Sequence, residues 1–465
     1  MKNNDKNPTL PEVLGTYAAL DTARFHMPGH KGCALTWPFD IAKWDVTELT
    51  DTDNLQMPSG AIFEAEKAWA EACHAKHSFF IVNGSTGCVL TMLLAIGLNK
   101  HVLVGRDCHK SVSAGLALAN HSASFVYPEF EDGIDGVVSA RAVEAALKKK
   151  KADAVFITSP NFYGLCADVE AIARVAHEHG ALLLVDSAHG AHLPFSPLFP
   201  ESAAKHADLW CVSAHKTLNA LTQTAVLHLS HRCPISEYDM QRTINLVQTT
   251  SPSYLLMTSL DWALYTALRA DYASYIKRVE DIQERLKTLN GITVFGDELI
   301  GRAGIVAVDP TRLVIDVSER GIDGRAASLC MESMRVVSEM ADARRIVFIT
   351  APVDKDEWYD MLFHAVKALP YGQNKVQTGR PSSFDHETAL SIRDAVLAKA
   401  ELVPIKDCEG RITAQAAGAY PPGIAAVFPG ERITNVDIDY FLLQEKLNIP
   451  LFGAREGKLC VVKDS

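Results

Sequence analysis

Apolar positions along this chain come in short runs. Between Phe79 and Leu229 six of them have strand character: Phe79 to Val82, Val102 to Val104, Ala154 to Thr158, Leu182 to Val185, Asp208 to Val212 and Ala225 to Leu229, with helical stretches between. That alternation predicts an α/β fold built on a mainly parallel, helix-covered sheet. Leu182-Leu183-Leu184-Val185 has no polar face, as a strand buried on both sides requires. In such sheets ligands collect at the carboxyl ends of the strands, so chemistry is expected just after these runs.

Further on, Tyr254 to about Leu289 predicts one long helical stretch, and β-like runs at Gly304 to Val308, Leu313 to Val317 and Val347 to Thr350 predict a smaller α/β domain. From Tyr371-Gly372-Gln373 to Ser383 the chain turns polar. A helix-like segment, Glu387 to Ala400, and a Pro-rich turn, Tyr420-Pro421-Pro422-Gly423, follow. The expected organisation is an N-terminal segment (1–35), a large domain (36–265), a small α/β domain (266–370) and a C-terminal α+β domain (371–465), without internal repeats.

Composition changes this picture little. With 465 residues, 48% hydrophobic and 22% charged, the chain can bury a large core and is neither disordered nor fibrous. The Lys148 to Lys151 run reads as a helix C-terminus. A net charge of −11 disfavours nucleic acid and anionic membrane as partners and weakly favours cationic ligands. No apolar stretch approaches the roughly 18 residues of a membrane helix, and the polar start, Met1 to Pro11, lacks the form of a signal peptide. A cytoplasmic location is expected. Ten scattered cysteines without a C-x-x-C spacing read as reduced, mostly buried thiols.

The chemistry concentrates after four of the strand-like runs. Ser213-Ala214-His215-Lys216-Thr217 places a lysine where a buried strand ends, and desolvation there makes an amine nucleophilic. Asp186 ends another such run and opens Asp186-Ser187-Ala188-His189-Gly190-Ala191-His192. Pyridoxal phosphate needs this pair: a lysine to bond its aldehyde and a carboxylate to keep its ring nitrogen protonated. Asn83-Gly84-Ser85-Thr86-Gly87, ahead of a helical run from Cys88, offers backbone N–H groups to a phosphate. Asp107-Cys108-His109-Lys110-Ser111 sets an imidazole where it can stack on a flat ring.

Each block alone has a plainer reading: a solvated lysine, an Asp186 helix cap, a Ser85 to Gly87 cap, a structural His109. Their order and strand placement favour the joint reading. The pairs His26/His30 and His189/His192 have ligand-like spacing but no third and fourth ligand set, so no metal is expected.

These blocks join others: Phe25-His26-Met27-Pro28-Gly29-His30-Lys31-Gly32, Gln248-Thr249-Thr250-Ser251-Pro252-Ser253-Tyr254, Tyr420-Pro421-Pro422-Gly423-Ile424 and Pro429-Gly430-Glu431. Together they resemble the Orn/Lys/Arg decarboxylases in their short form, which lacks an N-terminal wing. The resemblance implies a pyridoxal-phosphate-dependent transferase-like fold (fold-type I, aspartate-aminotransferase-like).

It also implies roles. Lys216 holds the cofactor aldehyde, Asp186 pairs with the ring nitrogen, His109 stacks on the ring and Ala188 packs beneath it. Ser85, Thr86, Gly87, Ser213 and His215 hold the phosphate, and His189 lies near the ring hydroxyl. Thr249 and Ser251 approach from a second subunit, which makes the enzyme a homodimer with a shared site. The implied activity is decarboxylation of lysine, arginine or ornithine. Three positions depart from the family pattern: Ser187, Ala419 and Ala425, the last two in the C-terminal unit, where they bear on substrate identity. The cofactor residues do not fix which Cα bond breaks, so transamination, racemisation, a lyase step or a silent regulatory homologue remain alternatives.

Overall fold

The computed structural model describes residues 19–31, 41–49, 51–372, 386–420 and 423–463. All six expected runs form strands of one sheet. In chain order, β1 (Ala23–Phe25) precedes it, and the sheet takes β2 (His77–Ile81), β3 (His101–Gly105), β4 (Ser122–Val126), β5 (Ala154–Thr158), β6 (Leu182–Asp186), β7 (Leu209–Val212) and β8 (Ala225–Leu229). Their order is β2-β8-β7-β6-β5-β3-β4. The four pairs from β7 to β4 are parallel, and β8 is antiparallel to both neighbours.

Alternate residues of the central strands feed two cores. Val155, Ile157, Leu183, Val185 and Trp210 fill one, and Phe156, Leu184, Leu209 and Cys211 the other. The strand that sequence missed, β4, reads Ser122-Ala123-Ser124-Phe125-Val126 and runs along the sheet edge, where a polar strand is tolerated.

The small unit is a four-stranded sheet, antiparallel at every pair. It is built from β9 (Thr293–Val294), β10 (Arg312–Asp316), β12 (Met340–Ala341) and β13 (Arg345–Ile349) in the order β9-β10-β13-β12. The run Gly304 to Val308 does not join it. Only Ala307–Val308 is strand, and it pairs with Leu165–Cys166 of the large unit. The N-terminal residues are built into the small unit: β1 pairs in parallel with β11 (Val336–Ser338), and the Phe25 ring packs edge-on against Phe348, Trp358 and Tyr359.

Two helical expectations need correction. The stretch from Tyr254 is two helices, Tyr254–Ala267 and Tyr272–Lys287, because Asp271 accepts from the Ser274 N–H at 3.1 Å and so starts a new helix. The segment Glu387 to Ala400 contains one short helix, Ile392–Leu397. Before it the Ala389 and Leu390 N–H groups bond Gly430 O, and after it Ala400 already opens β14 (Ala400–Pro404). The Lys148 to Lys151 run does end a helix, Ala140–Lys149. In the C-terminal unit β14 pairs with β15 (Lys458–Val462) beside the helix Asn435–Lys446, over a separate core of Ile405, Val427, Phe441 and Val461.

Residues 373–385, which hold most of the expected polar stretch, and Pro421 and Pro422 of the expected turn lie outside the described residues. No described helix is long and apolar enough to cross a membrane. The nine described cysteines are free thiols, seven of them buried.

Candidate active site

β6 and β7 are neighbours, and both end at the same edge of the sheet. Asp186 is the last residue of β6, 4% exposed, paired in register with Cys211 of β7 and Thr158 of β5. Its Oδ1 accepts from the Ala188 N–H at 3.0 Å and from the Cys211 thiol at 3.6 Å. It caps no helix, so the plainer reading of Asp186 falls away. Beyond β7 the chain passes Ser213 into a single helical turn, Ala214–Thr217, that carries Lys216.

Lys216 Nζ stands 3.1 Å from His189 Nε2, and the far side of that ring, Nδ1, stands 3.1 Å from Arg312 Nη2. The Phe162 ring meets His189 edge-on at 5.1 Å. Burial lowers the Lys216 pKa; Asp186 opposes the shift and Arg312 adds to it. Burial also holds His189 well below the ordinary imidazole value, with Lys216 and Arg312 pushing the same way. The crevice therefore disfavours protonation of both its lysine and its histidine.

His109 follows β3 and is half-buried. Its Nδ1 accepts from the Ser111 N–H at 3.2 Å, and its backbone bridges to Ile424 of the C-terminal unit. Burial lowers its pKa, Asp186 raises it and Lys216 lowers it, so the ring shares the field of that pair. Just before it, Asp107 has both carboxylate oxygens buried without a hydrogen-bond partner among the described residues. Burial, together with the Asp186 charge, pushes its pKa up to about 7.

The helix after β2 starts at Gly84, earlier than the expected Cys88, and this puts Ser85, Thr86 and Gly87 in its first turn. The Ser85 and Thr86 N–H groups consequently lack intrahelical acceptors. Gly84 has a positive φ of 72° and donates to Gln223 O at 2.7 Å. A Cβ on Gly87 would lie 2.2 Å from Asn83 Oδ1, so a side chain there would have to displace the Asn83 amide. The Ser213 hydroxyl is fully buried with no hydrogen-bond partner among the described residues, while its N–H donates to Ala188 O at 3.3 Å. His215 donates Nδ1–H to Thr224 O at 2.8 Å.

Thr249 and Ser251 are not brought into this crevice within one chain. They are exposed, and Ser251 N–H donates to Thr249 Oγ1 at 3.2 Å. The neighbouring Gln248 amide anchors them to the end of β2, accepting from Val82 N–H at 2.9 Å and donating to Phe80 O at 3.2 Å.

Sequence reasoning missed Arg312 and Glu339, both from the small unit. It also gave no role to the segment around Met27. Met27 N–H donates to Glu339 Oε2 at 2.8 Å, and Gly29 N–H donates to His215 O at 2.8 Å. A Cβ on Gly29 would meet Leu218 O at 2.5 Å, and that close backbone approach is the signal that could have flagged the segment. Of the histidine pairs considered for metal, His189 serves the lysine and His192 sits 3.2 Å from Asp309.

The family model described as Orn/Lys/Arg decarboxylase, major domain, matches residues 8–357, and its C-terminal domain counterpart matches residues 380–454. The chain is 31% identical to the arginine decarboxylase of Bacillus subtilis (strain 168), over 97% of this chain and 96% of that protein. It is 30% identical to the arginine decarboxylase of Halalkalibacterium halodurans, over 98% and 97%. Among solved structures, the Francisella novicida lysine decarboxylase LdcF superposes with a TM-score of 0.75 at 20% identity, covering 98% of this chain and 81% of that one, a likeness of fold. Matches of this length account at once for the sequence blocks and for the crevice they build around Lys216: the chain belongs to the Orn/Lys/Arg decarboxylase family.

Proposed function

We propose that the chain uses pyridoxal phosphate to decarboxylate a basic amino acid, with arginine the preferred one and agmatine and CO₂ the products. The observation that carries this reading is the placement of Lys216 Nζ beside His189, at the strand edge where Asp186 ends β6. The residues present fit the cofactor. A lysine of lowered pKa, a buried carboxylate, a Ser213 hydroxyl without a partner among the described residues and a helix turn crowded by Asn83 at Gly87 make a donor set for an aldehyde, a ring nitrogen and a phosphate.

Lys216 would hold the cofactor through Nζ, with Asp186 toward the ring nitrogen, His109 and Ala188 on the ring faces and His189 near the ring hydroxyl. Ser85, Thr86, Gly87, Ser213 and His215 would take the phosphate, and Thr249 and Ser251 of a second subunit would complete the site. When bound, this group supplies a carbonyl that condenses with amines and a ring that accepts electrons.

The chain's own residues supply the rest. Burial lowers the Lys216 pKa, which shifts the amine toward its nucleophilic form. Asp186 presents a fixed negative charge that needs no reorganisation during reaction. The Phe162 ring meets His189 edge-on and the Asp186 and His189 side chains are buried, a setting that strengthens charge interactions relative to open water. The curated arginine decarboxylases support arginine over its two rivals as first substrate. The same reading takes the chain as a cytoplasmic homodimer, with domains at 36–265, 266–370 and 371–465 behind the segment 1–35.

The test is a CO₂-release and product assay over arginine, lysine, ornithine and norleucine. Agmatine from arginine should form fastest. A pocket that recognises a distal cation leaves its polar groups unpaired with a neutral chain, so norleucine should react at least about tenfold more slowly than the best basic amino acid. Equal turnover of norleucine and the best basic amino acid, or keto-acid products, would overturn the reading.

A further inference from the structure

Arg312 opens β10 in the small unit, 123 positions from His189 along the chain, and its guanidinium is 1% exposed. Its Nη2 stands 3.1 Å from His189 Nδ1. A guanidinium has donors only, so Nδ1 must be the acceptor, and a neutral ring then carries its single proton on Nε2. Nε2 faces Lys216 Nζ at 3.1 Å. An N–H pointing at an amine nitrogen requires a lone pair there, and an ammonium has none. Guanidinium, imidazole and amine form a directed chain whose last link only an unprotonated lysine satisfies.

We propose that Arg312 is a positioning residue that fixes the proton of His189 on Nε2 and thereby holds Lys216 as a free amine. Its bearing on catalysis rests on the reading of Lys216 as the cofactor-bonding lysine; the proton arrangement itself does not. The surrounding charges divide as follows. At Lys216, Arg312 opposes protonation, while Asp186 of β6, Glu339 of the small unit and Cys211 of β7 favour it. At His189, Arg312 opposes protonation, as Lys216, His109 and His215 do whenever they carry a proton.

Arg312 Nε and Nη1 are buried with no hydrogen-bond partner among the described residues. A guanidinium kept in that state is a stability cost of the kind tolerated where a group tunes its neighbours. The gain is chemical. An ordinary lysine, with a pKa of about 10.4, is a free amine in fewer than about one molecule in a thousand at pH 7.

Two measurements on the full-length chain freed of cofactor test this. Histidine ¹⁵N NMR, with His189 assigned by its disappearance in His189→Gln, should report the Nε2–H tautomer; an Nδ1–H ring in the unmodified chain overturns the proposal. Competitive acetylation with acetic anhydride, read by mass spectrometry on the peptide holding Lys216, gives the apparent pKa of its amine. Arg312→Gln should raise it by at least about one unit, tenfold in the amine-to-ammonium ratio. Arg312→Lys, which keeps a cation and a donor, should raise it less.

In a His189→Gln background the Arg312→Gln shift should fall by more than half, because the link is gone. Equal shifts in both backgrounds would reduce Arg312 to a charge acting through space, and no shift in either would remove it from the site; both results overturn the proposal. The NMR arm needs no Arg312 variant, so poor folding of one leaves the question decidable. Neither arm uses turnover. A chain that releases no CO₂ yet shows the tautomer and the shift would discard the proposed function and keep this inference, and the reverse pattern would do the opposite.

Discussion

Arg106 and Lys216 are both basic groups under cover near the carboxyl edge of the large sheet, and their nearest hydrogen-bond partners differ: a carboxylate for one, an imidazole backed by a guanidinium for the other. Arg106 lies 4.5 Å over the rings of both Phe125 and Phe428 and donates Nη2 to Glu431 Oε2 at 2.8 Å and to Ala426 O at 3.0 Å. Behind Glu431 stands His386 at 3.5 Å, and behind His386 stands Asp437 at 2.9 Å, whose other oxygen caps the helix Asn435–Lys446. Charge alternates along the row. Burial by itself would lower the His386 pKa, but the Asp437 and Glu431 carboxylates outweigh it and the value is raised.

Lys216 has His189 at hydrogen-bond distance with Arg312 behind it, and burial together with the Arg312 charge works against protonation of the lysine while Asp186 and Glu339 work for it. The first row clamps the C-terminal unit onto the segment that carries His109. The second makes its members reactive. Buried charge that alternates serves cohesion, and buried basic groups whose protonation is opposed serve chemistry.

Breaking the lysine side should have the largest effect. Lys216→Ala is expected to abolish CO₂ release while leaving the melting temperature unchanged or raised, since it removes a buried basic group beside the Arg312 guanidinium; calorimetry and product assay check both halves. Asp186→Asn should keep the cofactor band and lower kcat by about 10² to 10³, the scale for removing one preorganised electrostatic partner. On the alternating side the order reverses. Glu431→Gln strands a buried guanidinium and should cost about 3 to 5 kcal/mol of stability in urea unfolding, with a modest effect on kcat once folded.

The pH dependence sharpens the contrast. Asp107 is held protonated in the folded chain up to about pH 7, whereas its unfolded form ionises near pH 4. The cofactor-free chain should therefore lose stability as pH rises between those values, and Asp107→Asn should remove that slope, a gain on the order of 2 to 4 kcal/mol at pH 8. His386, with its raised pKa, contributes stability that is complete below the ordinary imidazole value and lost as pH rises through its folded value. His386→Gln should flatten that decline, the smallest effect of the set, read as the melting temperature of the clamp against pH.

Which parts could be read from sequence follows from how local their causes are. Asp186 ends one apolar run and Lys216 follows a few residues after another, and a run with no polar face has few places to go but the middle of a sheet. The Gly87 and Gly84 requirements are also local, although the helix start was placed four residues late because the glycines hid it. Arg312 follows Pro310-Thr311 at the head of a short strand and looks like any edge residue. Only the packing of the small unit against the large one brings it to His189. β4 escaped because its serines suit an edge, and the break at Leu268–Asp271 escaped because one aspartate, with no Gly or Pro, makes it. Thr249 and Ser251 stay exposed in a single chain, so their expected role belongs to an assembly rather than to the local sequence.

The parallel pairing of β1 with β11 has a consequence for the order of events at the ribosome. Met27 waits for a carboxylate 312 residues downstream, and the buried Lys31 ammonium for the Ile349 carbonyl, 318 residues downstream. The large sheet can close from residues 77 to 229 alone, so its strands can assemble while the rest of the chain is still being made. The first described strand cannot take part until Val336 to Ser338 have emerged. Loop closure over such a span is slow in comparison with local pairing. Until about three quarters of the polypeptide has been made, the nascent chain should carry a formed lysine edge with its N-terminal strap undocked, and a ribosome stalled before residue 336 should leave residues 23–31 open to protease and the sheet protected.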